Sequence, residues 1–221
     1  MFAVITGDIV DSTTRYQPDT QVFSEIDRIL TSVFTHMHEK GWMRKGDYMV
    51  YRGDSFQCLL PVEKGMQGIL MIKAALKGGM EVDSHNTQLS WGCRLAVGIG
   101  EVTYRADHIS KSNGPAFQRS GRKLDAMLKD HFTEIKTPWE QANEELDLTC
   151  RYLDIVIERL WTVNSARTAW MYFRDDYTQQ ELADQFGITQ SAMNQRIQGA
   201  ELAVLEQTIQ RYQNIIKNHI P

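Results

Sequence analysis

Apolar and polar positions along this chain change period several times, and each change predicts an element. Residues 2–6 form a short apolar run that ends at Gly7-Asp8, as a buried strand would. Val22, Phe23, Ile26, Ile29, Leu30, Val33, Phe34 and Met37 then recur every three or four residues. That spacing predicts an amphipathic helix laid on a sheet. Residues 48–51 and 56–60 read as strands, and the tight link Arg52-Gly53-Asp54-Ser55 between them predicts a hairpin. A second helix is expected over 62–76, closing at Gly78-Gly79. Residues 89–97 and 101–104 read as a strand pair around Gly98-Ile99-Gly100. A third helix starts near Pro115, an acceptable first-turn residue, and runs to about 128; a strand over 132–136 follows.

The order β-α-β-β-α-β-β-α-β predicts an α+β sandwich, with helices packed on a mostly antiparallel, ferredoxin-like sheet. After Pro138 the pattern is helical throughout, with helices expected over 144–162, 165–173, 179–186 and 190–212. Two domains are therefore expected: an α+β domain over 1–138 and a helical domain over 139–221. The 221 residues are enough to bury a real core, and 42% hydrophobic with 24% charged residues is ordinary for a globular protein. No apolar run approaches the roughly 18 residues that span a bilayer, and no basic stretch precedes the first apolar run as in a signal peptide. Cys58, Cys93 and Cys150 are odd in number and set among apolar neighbours, which predicts buried free thiols in a reducing cytoplasm.

Candidate chemistry begins at Asp8, where the first strand ends, and at Asp54, in the first hairpin. A ferredoxin-like sheet sets the first strand beside that hairpin, so the two carboxylates would converge. Paired carboxylates suit hard cations such as Mg²⁺ or Mn²⁺, which prefer oxygen and keep positions open for phosphate. The backbone N–H groups that follow Asp8, with the hydroxyls of Ser12, Thr13 and Thr14, would hold phosphate near a helix start. Asp11 repels phosphate unless it binds metal or caps a turn. The plain alternative is that Gly53-Asp54 is turn chemistry alone. His36 and His38, two apart on a helix, point to different faces and make a poor metal pair.

Asp8-Ile9-Val10-Asp11-Ser12-Thr13 resembles the first metal motif of class III nucleotidyl cyclases, and the run from Arg52 through Leu60 resembles their second. The run from Arg94 through Val102 is similar to a strand pair of the cyclase core. Gly114-Pro115-Ala116-Phe117 is similar to the start of their last active-site helix. The closer resemblance is to the SatD family of bacterial proteins, through the Gly-Asp start, the Gly-Asp hairpin, the Gly-Pro-Ala helix start and a C-terminal helix-turn-helix. What the cyclase resemblance implies is a nucleotidyl-cyclase-like domain with Asp8 and Asp54 as metal ligands and the Ile9 carbonyl as a third. It also implies transition-state stabilisation by Arg122, with Gln118 in the place of an asparagine. A nucleoside triphosphate would be the ligand, and a head-to-tail homodimer would complete the site. Arg122 has a second reading, as part of a solvated helix face with Arg119 and Lys123. Val50 and Lys111 stand where cyclases put their purine-reading pair and do not reproduce it.

Residues 177–197 follow a helix-turn-helix pattern, part of a segment taken to extend over about 177–212. Ala183 is small where two helices would cross, and Gly187 supplies the turn. Leu182, Phe186, Ile188, Met193 and Ile197 would form a small core, and Thr178 with Glu181 has capping-box spacing. The segment resembles region 4 of sigma factors. Thr189, Gln190, Ser191, Asn194, Gln195 and Arg196 would then meet double-stranded DNA from the second helix. Charge argues the other way: from Gln141 onward there are seven Lys/Arg against eleven Asp/Glu. Two functions are therefore expected. One is a SatD-like protein that couples a metal–nucleotide site, with possible cyclase-type activity, to DNA binding. The other is a non-catalytic transcriptional regulator or dimeric scaffold built on a degenerate cyclase fold.

Overall fold

A computed structural model gives the structure of residues 1–10, 20–51, 54–79 and 90–220, with the side chains of 20–22 left out of the description. Five strands form one sheet in the order β2-β3-β1-β4-β5. They are β1 (Phe2–Ile9), β2 (Tyr48–Tyr51), β3 (Ser55–Pro61), β4 (Cys93–Gly100) and β5 (Thr133–Lys136). β1 lies antiparallel between β3 and β4, while β4 and β5 run parallel and are joined by a crossover through α3 (Pro115–Asp125). The mostly antiparallel α+β sheet is thus present.

Strand alternation sorts β1 into two faces. Ala3, Ile5 and Ile9 enter the large core, where α1 (Thr20–Glu39) and α2 (Gly65–Gly78) cover the sheet. The apolar stripe of α1 is buried as its period requires, from Ile26 through Met37. Val4 belongs to a smaller cluster on the other face with Leu59, Ile109 and Ala116, beneath α3. This second face also carries Thr6 and Asp8.

Two expectations for the middle of the chain need correction. β4 continues through Gly98 and Gly100, with no turn there. Bare glycine backbone lets α3 lie on the strand: a Cβ on Gly98 would stand 2.1 Å from the Ala116 carbonyl oxygen and 2.4 Å from the Ser120 nitrogen. Residues 101–104 form no strand, because the Glu101 carbonyl accepts the amide of Ala116 at the start of α3. Of the expected pair, 93–97 are present in β4, while Tyr104 makes only an isolated bridge, and that to Asn113. Residue 89, where the first of those strands was placed to begin, lies outside the described residues.

After Pro138 come α4 (Glu140–Asp154), a π-helical continuation over Ile155–Leu160, α5 (Val163–Arg174), α6 (Gln179–Gln185), α7 (Gln190–Gly199) and α8 (Leu202–His219). The expected single helix over 190–212 is broken. Glu201 takes a left-handed φ of 55°, and the buried Ala200 turns its carbonyl to the Trp161 indole N–H at 2.9 Å. The core crosses Pro138 without interruption. Gly78 meets the α5 backbone so closely that a Cβ would stand 2.8 Å from the Arg167 nitrogen, and the Tyr212 hydroxyl donates to the Val62 carbonyl at 2.7 Å. At this junction the fully buried Lys73 donates to the Glu158 carboxylate at 2.9 Å and the Cys93 carbonyl at 3.0 Å. Burial works against the Lys73 ammonium. The Cys93 sulfur and the Glu158 and Asp154 carboxylates outweigh it, so its pKa lies above the ordinary value. All three cysteines are buried free thiols.

Candidate functional site

Asp8 is the penultimate residue of β1, on the face away from the main core. The ladder sets it opposite Ser55 on one side and Arg94 on the other. The Arg94 guanidinium grips both carboxylate oxygens, Nε to Oδ1 at 3.0 Å and Nη2 to Oδ2 at 2.5 Å. This is the bidentate fork that makes arginine–carboxylate pairs strong and oriented. Both side chains keep about a third of their surface in water, 32% for Arg94 and 27% for Asp8. The hydrogen bond to Asp8 raises the Arg94 pKa further.

Asp54 closes the β2–β3 hairpin. Its carbonyl accepts the Ile9 amide at 2.8 Å, which sets Asp54 against the end of β1 beside Asp8. Its Oδ1 accepts from the Ser55 hydroxyl at 3.3 Å. Folding therefore brings the neighbourhoods of Asp8 and Asp54 together at one sheet end. Ile9 gives its side chain to the core and its amide to Asp54, so a ligand role would fall to its carbonyl. Ser12 and Thr13, the expected phosphate donors, and Asp11 lie outside the described residues.

The acidic residues that meet here, Asp8 and Asp54, offer oxygen as their only ligand type. Among the described residues no three His, Cys, Asp or Glu side chains converge as a metal cage. Such a pair fits Mg²⁺ or Mn²⁺, which take few protein ligands and complete their shells with water and phosphate oxygen. It does not fit zinc, which wants imidazole and thiolate.

Beneath Asp8 the same face holds a polar row. Gln57 Nε2 donates to the Thr6 hydroxyl at 3.0 Å, and Thr6 donates to the Ser120 hydroxyl of α3 at 2.9 Å. Farther along, Lys123 bonds Glu134 at 2.8 Å, and the other Glu134 oxygen pairs with His131 at 2.6 Å. These residues border a cavity of about 290 Å³ with Asp147 and Arg151. A cleft of about 710 Å³ lies elsewhere, between α1 and the end of α5, and neither Asp8 nor Asp54 lines it.

Gln118 and Arg122 do not join this constellation within one chain. Ala116 and Ser120 face the sheet. At 100° per residue, positions 118 and 122 project from the far side of α3. Both are exposed, and among the described residues neither makes a side-chain hydrogen bond or ion pair. Val50 is on the other sheet face from Asp8, packed against the α1 core, and Lys111 is exposed in a short 3₁₀ turn. Sequence reasoning missed Arg94, Thr6, Gln57 and Ser120. Strand alternation carried the signal for the first three, since Arg94 shares a face with the small residues Ala96, Gly98 and Gly100.

In the C-terminal segment, Thr178 and Glu181 form a reciprocal capping box at the start of α6. Gly187, at φ 61°, provides the left-handed turn before α7. Leu182, Ala183 and Met193 make a small core with Phe186, Ile188 and Ile197 around it. Gln190, Ser191, Asn194 and Gln195 are exposed on one side of α7. Thr189 is spent partly on capping, accepting the Ala192 amide at 3.2 Å. Arg196 turns back over the Phe186 ring, 5.3 Å from its centroid.

No protein-family model matches the chain, and no curated protein sequence matches it. Among solved structures, a bacterial light-regulated adenylyl cyclase is similar at 16% identity and a TM-score of 0.38, over 61% of this chain and 74% of that one. A likeness of that size assigns neither family nor function. Among the described residues no helix is long and apolar enough to cross a membrane.

Proposed function

We propose that this chain is a SatD-like protein whose sheet end at Asp8 and Asp54 binds a divalent cation with a nucleoside triphosphate, in a cyclase-like α+β domain. What supports this reading is that Asp54, through its carbonyl, is bonded to the Ile9 amide next to Asp8 at one strand end, where Asp8 holds a cation, Arg94, through both oxygens. Mg²⁺ or Mn²⁺ bound there would supply activation of the ribose 3′-hydroxyl and a clamp on the triphosphate. Asp8 and Asp54 would hold and orient the ion, with the Ile9 carbonyl as a further ligand and Ser12 and Thr13 as phosphate donors. Arg94, paired with Asp8, would supply positive charge beside the anionic phosphates. Gln118 and Arg122 face outward, so their place is in the site of a second subunit, as in a head-to-tail homodimer. With Val50 turned to the core, the base is read by other groups or hardly at all.

Calorimetric titration with Mn²⁺, alone and with each of the four ribonucleoside triphosphates, tests the reading. Binding that disappears in Asp54→Ala is expected. A protein that binds Mn²⁺ under none of these conditions would sink it. Product analysis on the same panel separates an enzyme from a sensor, because the sensor binds and turns nothing over.

The exposed amide and hydroxyl row on α7 favours a second activity for the same chain. Residues 177–212 act as a DNA-binding helix-turn-helix, with Gln190, Ser191, Asn194 and Gln195 toward base edges and Thr189 and Arg196 toward the backbone. The excess of acid in this region predicts weak, strongly salt-sensitive binding. Selection from random duplex DNA at low salt should recover a sequence whose binding weakens in Gln190→Ala. Failure to retain any duplex would leave α6 and α7 as a packing unit.

A further inference from the structure

One surface takes no part in either site. α4 and its π-helical continuation turn Leu148, Tyr152 and Ile155 to solvent, at 58%, 64% and 42% exposure. Their spacing of four and three residues sets them in one stripe, opposite the buried Leu146, Cys150, Leu153 and Ile157. Glu144 lies one turn before the stripe and Arg159 one turn after it, both exposed. Neither forms an ion pair or a side-chain hydrogen bond among the described residues. Four residues are nearly a full turn of a π-helix, so Arg159 stays beneath Ile155.

The stripe is self-complementary about a point between Arg151 and Tyr152. Reflection through that point exchanges Glu144 with Arg159 and Leu148 with Ile155. Antiparallel helices related by a two-fold axis meet in this pairing, because an isologous interface presents the same patch from both sides. A foreign helix would have no need of such symmetry. Apolar surface left in water on one copy is removed from water on both.

We propose that α4 is a self-association surface on which a second copy of this chain docks antiparallel. Leu148 packs against the partner's stripe at the place of Ile155, and Glu144 faces the partner's arginine at position 159. The central tyrosines lie near the two-fold axis. This surface is separate from the sheet end at Asp8 and from α7, so it holds whatever becomes of the metal and DNA readings.

Sedimentation velocity on the full chain at micromolar concentration is expected to show self-association through this stripe, as a dimer, or as a larger species where the head-to-tail pairing also forms. Glu144→Arg and Arg159→Glu should each weaken it at least roughly tenfold, since the two-fold axis makes every such change two like-charge contacts. The double charge exchange should restore it to near the natural affinity. Tyr152→Cys should cross-link as a dimer under mild oxidation, since Cys58, Cys93 and Cys150 are buried and cannot supply the bond. All three positions substituted are on the surface, and circular dichroism checks that each variant folds. A monomer throughout, or a dimer indifferent to both single charge reversals, overturns the proposal. So does a double variant no better than the singles.

Discussion

Two ion pairs tie different parts of this molecule together, and their surroundings set them apart. Lys73 and Glu158 join α2 to the π-helical turn after α4, with the lysine side chain 1% exposed and its second bond to the Cys93 carbonyl. Arg94 and Asp8 join β4 to β1 at the sheet end, each with about a third of its surface in water. In the first pair loss of Glu158 strands a buried lysine, while loss of Lys73 leaves Glu158 with only the longer pair to Lys77 at 3.8 Å. In the second, water or an incoming ion can replace either partner. The buried pair is a fastener between the sheet and the later helices; the half-exposed pair is a cation held where another cation can take its place.

The largest expected effect breaks the fastener. Lys73→Ala removes the buried cation between Glu158 and Asp154, leaves Glu158 only the longer pair to Lys77, and should cost about 3 kcal/mol. For a chain of this size that lowers Tm by roughly 10 °C in thermal denaturation. Lys73→Met fills the same space and should recover part of the loss if accompanied by Glu158→Gln. A Tm for Lys73→Ala within a degree or two of the natural protein would show that the pair is no fastener.

Asp47 stands between these extremes and sharpens the comparison through pH. Its side chain is 2% exposed, while its partners Arg44 and Arg105 keep 51% and 29% of theirs. Burial alone would raise its pKa, but the hydrogen bonds from Arg105 and Arg44 outweigh it and hold the carboxyl below its ordinary value of 3.8. The stability this gives is fully present above that value and is lost as pH falls from it toward the lower folded pKa. Denaturation midpoints measured from pH 5 to pH 2 should fall less steeply in Asp47→Asn than in the natural protein. Identical slopes would place the acid sensitivity on other carboxylates.

The elements with strong periodicity were legible from sequence, and the interruptions were not. The six apolar positions of α1 from Ile26 to Met37 read as one face and are buried as one, and the Gly-Asp pair pointed to the β2–β3 hairpin. Nothing in the local pattern shows that Gly98 and Gly100 remain in a strand, because the reason is contact with α3. The break at Ala200 is equally non-local, since the carbonyl freed there bonds Trp161, 39 residues earlier. At the candidate site the carboxylates could be read singly, but Arg94 could not. Its pairing with Asp8 depends on strand register over 86 residues, which the composition of either strand leaves open.

The smallest effect on stability bears most directly on Asp8. Arg94→Ala breaks a half-exposed pair, so its cost in folding should stay within about 1 kcal/mol. Its effect on metal binding should be larger and opposite in sign. A single positive charge a few ångströms from a divalent ion opposes it by about 1–2 kcal/mol even under near-aqueous screening, or roughly tenfold in affinity. Mn²⁺ titration followed by electron paramagnetic resonance should therefore give a Kd roughly tenfold lower for Arg94→Ala. Asp8→Asn should lose binding, and Arg94→Lys should fall between Arg94→Ala and the natural protein. Tighter binding in Arg94→Ala, with stability nearly unchanged, would mark the Asp8 pair as exchangeable. Weaker binding would mean that Arg94 holds Asp8 in place for the metal, and the contrast with the Lys73 pair would then be one of burial alone.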